Sequence, residues 1–436
     1  RVKLQIKFSR NGQIVSDLHP VSRGRNKVVA MRWVGSTPSD ELAAYMNLLK
    51  AGNWDEFTAA LRGFRVPAQN FLFASQSGDI GYYLGGSIPI RRNATGILPH
   101  QGWLSAGQWT GEVPFEERPH VFNPASGYIA TANNKIVNDR YPYYISNLWE
   151  PSGRIARIHE MLSAPAVFSV DNFKRMQLDV ESVVAKSLLP IILQHVEAKL
   201  DSNEKSELGT LYRLIKDWDG VETPDRIEPA IFHAFLIKFA ENTIRDEMGD
   251  ELYQHYIRTN NVPFRVVTAL LRKEHSVWFD DISTEKVESK TDIVVESLLD
   301  AGRLLRQMAG ESIADWRWGE IHQLTMAHPL GVQKPLDFFL NIGPMQRGGS
   351  TMTINSAEYR FRAPFTSDVG PSTRQIVDLC DTAHAWSVIT TGASGQRMSK
   401  HYKDQTPLWV AGDYHPMMME RAEVIKDASE HLVLSP

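Results

Sequence analysis

The sequence predicts an α+β protein in which a helical lobe is inserted into a sheet-based core. Strand-and-turn patterns fill residues 1–150, apolar residues recur at helical spacing through 151–315, and strand patterns return over 316–436 with the C-terminal segment. Sheet, helices, sheet is the order left when helices interrupt one layered core. At 436 residues, 42% apolar and 22% charged, the chain has an ordinary globular composition and length enough for a large core.

Taken in order, Val2, Leu4, Ile6 and Phe8 alternate with Lys3, Gln5 and Lys7, so a half-buried strand is expected already under way. A first residue Arg1 inside such a pattern is expected of a piece of a longer protein. Asn11-Gly12 is a hairpin signal, and Ser77-Gly78-Asp79 is another between residues 70–73 and 80–83. Thr37 is the expected N-cap of a helix with Pro38 at its first position. That helix carries Leu42, Tyr45, Met46 and Leu49 on one face and ends near Gly52; a shorter one follows from Trp54 to Leu61. Residues 92–123, rich in Gly and Pro, read as a long structured loop pinned by Trp103, Trp109 and Phe115.

Beyond Pro151, Ser169 caps a helix beginning Val170-Asp171, and further helices are expected near 184–199, 204–217, 229–247 and 291–309. The returning strands are 337–340, 351–355 after Gly348-Gly349-Ser350, 375–379 and 385–389. No internal repeat of solenoid length is present.

Several function classes are disfavoured. A net charge of −4 without a basic stripe argues against nucleic acid as a partner. No apolar run of about 18 residues provides a membrane span. The single cysteine, Cys380, rules out an intrachain disulfide, and its neighbours Ile376, Val377 and Leu379 predict that it is buried. Zinc-protease, nucleophile-elbow, P-loop and dinucleotide patterns are all missing, so no metal or cofactor is expected from motifs.

Two residues carry the chemical interest. Asn133 follows the extended run 128–132, which is expected to set it at a strand end. Its carboxamide N–H groups suit stabilisation of a developing oxyanion in acyl transfer; equally, Asn is a common turn residue, and Asn134 competes for either role. Arg154, after the Trp-Glu-Pro-Ser-Gly turn, could orient Asn133 or hold a carboxylate with its five donors. The other reading makes it a first-turn arginine of an exposed helix, with Arg157 three residues on. His322, His328 and His401, the last within Lys400-His401-Tyr402-Lys403-Asp404-Gln405, read as structural hydrogen-bonding residues. Asn93-Ala94-Thr95 matches a glycosylation acceptor. No serine is marked as a nucleophile.

Ordered landmarks then add up. They include Pro67-Ala68-Gln69-Asn70-Phe71, Gly78-Asp79-Ile80-Gly81-Tyr82, Trp109-Thr110-Gly111, Asn123-Pro124 through Asn134, Tyr141-Pro142-Tyr143, Trp218-Asp219-Gly220 and Trp316-Arg317-Trp318-Gly319. With His328-Pro329-Leu330, Gly392-Ala393-Ser394-Gly395 and the His401 to Gln405 run, the chain resembles the penicillin acylase family of N-terminal-nucleophile hydrolases, in the later part of the large catalytic subunit. The resemblance implies a four-layer αββα sandwich and a self-cleaving precursor whose exposed serine attacks an amide, its own α-amino group serving as base. It implies Asn133 as the side-chain half of the oxyanion hole and Arg154 as its support. It further implies a small N-acyl amide as substrate (a β-lactam side chain, an acyl homoserine lactone or similar), a periplasmic or secreted location, and no cofactor for the chemistry.

The nucleophile is expected in an upstream segment absent from this chain, which with the α-subunit of the same precursor would be its partner; the chain alone is therefore expected to be inactive. A structural Ca2+ occurs in some relatives, drawing on an acidic residue near 143–145, where this sequence has Tyr143-Tyr144-Ile145 and no carboxylate. The rival expectation is a non-catalytic scaffold or binding module derived from the same family.

Overall fold

Short antiparallel hairpins build the first of two units, Arg1–Trp149, and helices build most of the second, Glu150–Pro436. The structure, a computed structural model, describes residues 3, 5–16, 18, 27–164, 167–200, 206–259, 261–429 and 432–434.

In the first unit β1 (Phe8–Ser9), β2 (Gly12–Ile14) and β3 (Ala30–Met31) form an antiparallel sheet. Ser9 pairs with Gly12, so the turn is Arg10-Asn11, one residue earlier than expected. Gly12 has φ 108° and a Cβ there would stand 2.1 Å from the Met31 carbonyl oxygen, which only glycine avoids. Among the described residues of the expected first strand, pairing is confined to β1: Ile6 and Phe8 are exposed and join no apolar cluster, because alternation makes a half-buried strand only where a core face receives it. Val2 and Leu4 lie outside the described residues.

Helix α1 (Glu41–Leu48) starts three residues later than Pro38, because Asp40 accepts the Ala43 N–H at 2.9 Å and takes the cap. Thr37 closes a 3-10 turn instead. The anticipated apolar face of this helix points outward, with Leu42 and Leu49 73% and 81% exposed and only Ala44 buried. Helix α2 (Trp54–Leu61) has the expected span and is capped by Asn53. Strands β4 (Gln69–Ala74) and β5 (Ile80–Gly85) pair about the Gly78 turn, and the 92–123 region supplies strands of its own. After β6 (Pro89–Arg91) come β7 (Trp109–Glu112), which pairs with β6, and β8 (His120–Phe122), which pairs with β5. Phe115 stacks on Tyr83 at 4.6 Å and Trp109 carries the Arg32 guanidinium, but Trp103 is exposed and pins nothing. Two small clusters form the apolar interior, one around Phe57, Leu61, Phe64 and Tyr83, the other around Tyr82, Leu84, Ile88 and Val113.

The second unit runs α3 (Gly153–Leu162), α4 (Val170–Gln177), α5 (Val183–Glu197), α6 (Glu207–Ile215), α7 (Glu228–Tyr256), α8 (Val262–Leu271), α9 (Lys290–Ala309) and α10 (Trp318–Ile321). Ser169 caps α4 in a reciprocal box with Asn172, and Ser289 does the same for α9 with Asp292. Helix α7 is broken at Gly249 (φ 70°, ψ 160°), a conformation open to glycine at no steric cost. One continuous core joins Leu188, Ile192, Phe235, Phe239, Leu298 and Trp318.

Then follow β9 (Gln323–Met326), α11 (Leu336–Leu340), β10 (Ile342–Gln346), β11 (Thr373–Val377), β12 (His384–Ile389), α12 (Thr406–Ala411), β13 (His415–Met418) and α13 (Arg421–Asp427). β11, β12 and β13 form one antiparallel sheet, with Ile376 opposite Trp386. Two expected strands are not strands. Residues 337–340 are the short helix α11, and 351–355 are buried turns. In the latter, side chains replace the ladder: Ser350 N–H donates to Thr353 Oγ1 at 3.0 Å and Met352 N–H to Ser350 Oγ at 3.1 Å. Cys380 is exposed rather than buried, since it lies on the β11–β12 turn, its N–H on Asp378 Oδ1. Among the described residues no helix is long and apolar enough to cross a membrane.

Candidate active site

Residues 128–132 form no strand, so Asn133 sits on an irregular turn rather than at a strand end. Its φ is +61°, in the left-handed region that Asn tolerates better than most residues, and its side chain is exposed. The turn is braced from both sides. Asn70 on β4 donates its Nδ2 to Thr131 Oγ1 at 3.1 Å, while its own Oδ1 takes the Tyr82 hydroxyl at 2.6 Å. On the other side Asn134 Oδ1 accepts the Ala132 N–H at 3.0 Å and Asn134 Nδ2 donates to the Lys135 carbonyl at 3.0 Å. Both ends of the Asn134 carboxamide are thus committed to the backbone.

Arg154 belongs to the second unit, so each residue is described within its own unit. It is the second residue of α3 and half-buried. Gly153 before it packs so closely that a Cβ would lie 2.5 Å from Val184 Cγ2 on α5, which fixes the start of the helix. A guanidinium at a helix N-terminus opposes the macrodipole, and carboxylates offset this. Glu150 leads into the helix and both its oxygens accept from Asn261 Nδ2, at 2.9 and 2.8 Å. Glu358 is half-buried; burial, then Glu150, pushes its carboxyl up, and Arg154 pulls it back. Glu358 and Asn261 line a recess with Tyr359, Phe361 and Asp368.

Sequence reading missed Glu150, Asn261 and Glu358. Only Glu150 left a signal, as the acid of the Trp-Glu-Pro-Ser-Gly turn. Arg157 is fully committed elsewhere, to Asp179 (3.1 and 2.9 Å), Glu181 (2.9 Å) and Glu160 (3.1 Å), and this raises its pKa.

His322, His328 and His401 each make local structural hydrogen bonds. His322 is fully buried, its Nδ1 2.6 Å from the Phe365 carbonyl oxygen, and burial lowers its pKa to about 3, so it stays neutral. His328 Nδ1 accepts the Leu330 N–H. His401 pairs with Asp404 at 2.6 Å, and its carbonyl takes the Ser394 N–H, bracing the loop after β12. At 143–145 the side chains offer no carboxylate, and the Tyr143 hydroxyl donates to Glu117, so these positions do not fit a calcium ion. Among the described residues no group of three or more His, Cys, Asp or Glu could hold a metal.

The family profile described as Penicillin amidase matches residues 1–426. An acyl-homoserine lactone acylase, QuiP, of Pseudomonas fluorescens is 27% identical over 94% of this chain and 51% of its own length. Penicillin acylase 2 proenzyme of a Pseudomonas species is 26% identical over 86% of this chain and 47% of its own. The chain spans about half the length of the curated relatives it matches. A thermostable penicillin G acylase from Alcaligenes faecalis superposes with a TM-score of 0.68 over 99% of this chain and 78% of that one, at 18% identity. The fold is therefore that of an N-terminal-nucleophile hydrolase, in the α+β class expected, and the chain belongs to the penicillin amidase family.

Proposed function

We propose that this chain is part of an amidohydrolase that cleaves the amide of N-acyl compounds, an acyl homoserine lactone or a β-lactam side chain, outside the cytoplasm. The names of its relatives support the substrate class. One observation carries the site assignment: Asn133 is held in left-handed backbone on a turn braced by Asn70 and Asn134. Strain of that kind persists where surrounding contacts over-determine it, and it aims a side chain.

In this reading a serine contributed by an upstream segment attacks the amide carbonyl, and the C–N bond breaks as the amine takes a proton and leaves. Water then releases the acid. Asn133 Nδ2–H donates to the carbonyl oxygen as it gains negative charge, and Arg154 takes the supporting role that the family resemblance implies for it. No metal or cofactor enters the chemistry.

The test is amine release from a fatty-acyl homoserine lactone and from a phenylacetyl amide by the full-length precursor. Asn133→Ala is expected to lower kcat by about 10²–10³, with no turnover by the 436-residue chain alone. Full activity of the Asn133→Ala enzyme removes the role assigned to it, and an inert full-length protein favours the scaffold reading.

A further inference from the structure

Arg347 and Arg374 are 4% and 3% exposed, yet among the described residues neither is in ion-pair contact with a carboxylate. Arg347 follows β10 and Arg374 lies on β11; both donate an Nη2 to one oxygen, Asn355 Oδ1, at 3.1 Å each. Arg374 Nη1 also reaches the Trp409 carbonyl at 2.7 Å, and both guanidinium carbons stand over the Trp409 ring, at 4.3 and 4.9 Å from its centroid. One acidic residue touches the cluster through its backbone but is engaged: the Asp179 carbonyl takes the Asn355 N–H at 2.9 Å while its carboxylate holds Arg157. The Nε–H groups of Arg347 and Arg374 are both buried with no hydrogen-bond partner.

Two like charges sharing one neutral acceptor are costly in a dry interior, and an aromatic face returns only part of that cost. A counter-charge offsets that cost. It has to be small, because both side chains are already enclosed by this unit. The geometry points to a buried site for a small inorganic anion of chloride type, held between Arg347 and Arg374 by their Nε–H donors beside Asn355 and Trp409. The anion completes the junction of β10, β11, the 348–355 turns and α12, and it is a structural ion with no part in amide cleavage.

Thermal unfolding of the chain at fixed ionic strength, with sodium chloride exchanged for sodium gluconate, tests this. Chloride at about a hundredfold above its dissociation constant is expected to raise Tm by about 3 °C, and crystals soaked in bromide are expected to show an anomalous peak within hydrogen-bond distance of both Nε atoms. Asn355→Asp puts a carboxylate on the shared acceptor, so it is expected to fold, to unfold at higher temperature in gluconate than the unaltered chain, and to lose the chloride response. Equal Tm in both salts with no bromide peak overturns the site, as does an Asn355→Asp chain that keeps its chloride dependence.

Discussion

The two units treat their apolar residues differently. In the second, helices α5 to α9 feed one continuous core in which Leu188, Phe235, Val294 and Leu305 are sealed. In the first, two clusters of five and four buried residues among those described share the work, and the apolar face of α1 stays open. Small sheets bury little surface per residue, so what holds the first unit is local: caps, stacked rings and braced turns. The proposed oxyanion donor is built on that local scaffold, whereas the proposed supporting arginine is anchored to the large core through Gly153.

Truncating the large core gives the biggest effect. Phe235→Ala is expected to destabilise the second unit by about 4 kcal/mol in urea unfolding; Phe64→Ala, in the smaller cluster, by about 3 kcal/mol, with faster hydrogen exchange confined to the first unit. Equal costs and equal spread of exchange would erase the distinction. Next comes Arg157→Met, which leaves the Asp179 carboxylate, 13% exposed, without its cation and the Glu181 carboxylate with Lys186 alone. A loss of about 3 kcal/mol is expected by the same measurement.

Smaller is the backbone term at Asn133. Asn133→Gly keeps left-handed φ without strain and Asn133→Ala does not, so their unfolding free energies are expected to differ by about 1 kcal/mol in favour of glycine. The smallest effect is a titration. Burial, then the neighbouring Asp246, pushes the Glu247 carboxyl on α7 up to about 7. Between about 4.5 and 7 the folded chain holds a proton that the unfolded chain has released, so this group makes stability fall as pH rises. Glu247→Gln is expected to flatten that slope in unfolding curves collected across the window.

Helices were the legible part. α2 and α9 stand within a residue or so of their sequence spans, because long amphipathic runs with Ser or Asn caps leave little choice. Short apolar runs misled: Asp337-Phe338-Phe339-Leu340 reads as strand but is helix, and 351–355 is turns because Ser350 and Thr353 hydroxyls take the backbone partners a sheet would need. α8 escaped because its run, Val262–Leu271, carries Pro263 near its start and little polar punctuation. Of the proposed site residues, Asn133 and Arg154 were named from sequence, but Glu358, which feels both Glu150 and Arg154, lies some two hundred residues on, a separation no local pattern reports. The commitment of Asn134 was equally invisible, since it depends on the fold of its own turn.

The contact between Gly153 and Val184 is a mechanical stop. With 2.5 Å between a Cβ at 153 and Val184 Cγ2, the bulk of residue 184 sets how far the first turn of α3 advances, and so where the guanidinium of Arg154 stands. Enlarging or trimming residue 184 moves a charge without altering any charge. A valine on a neighbouring helix thus tunes the position of the Arg154 guanidinium within its own unit.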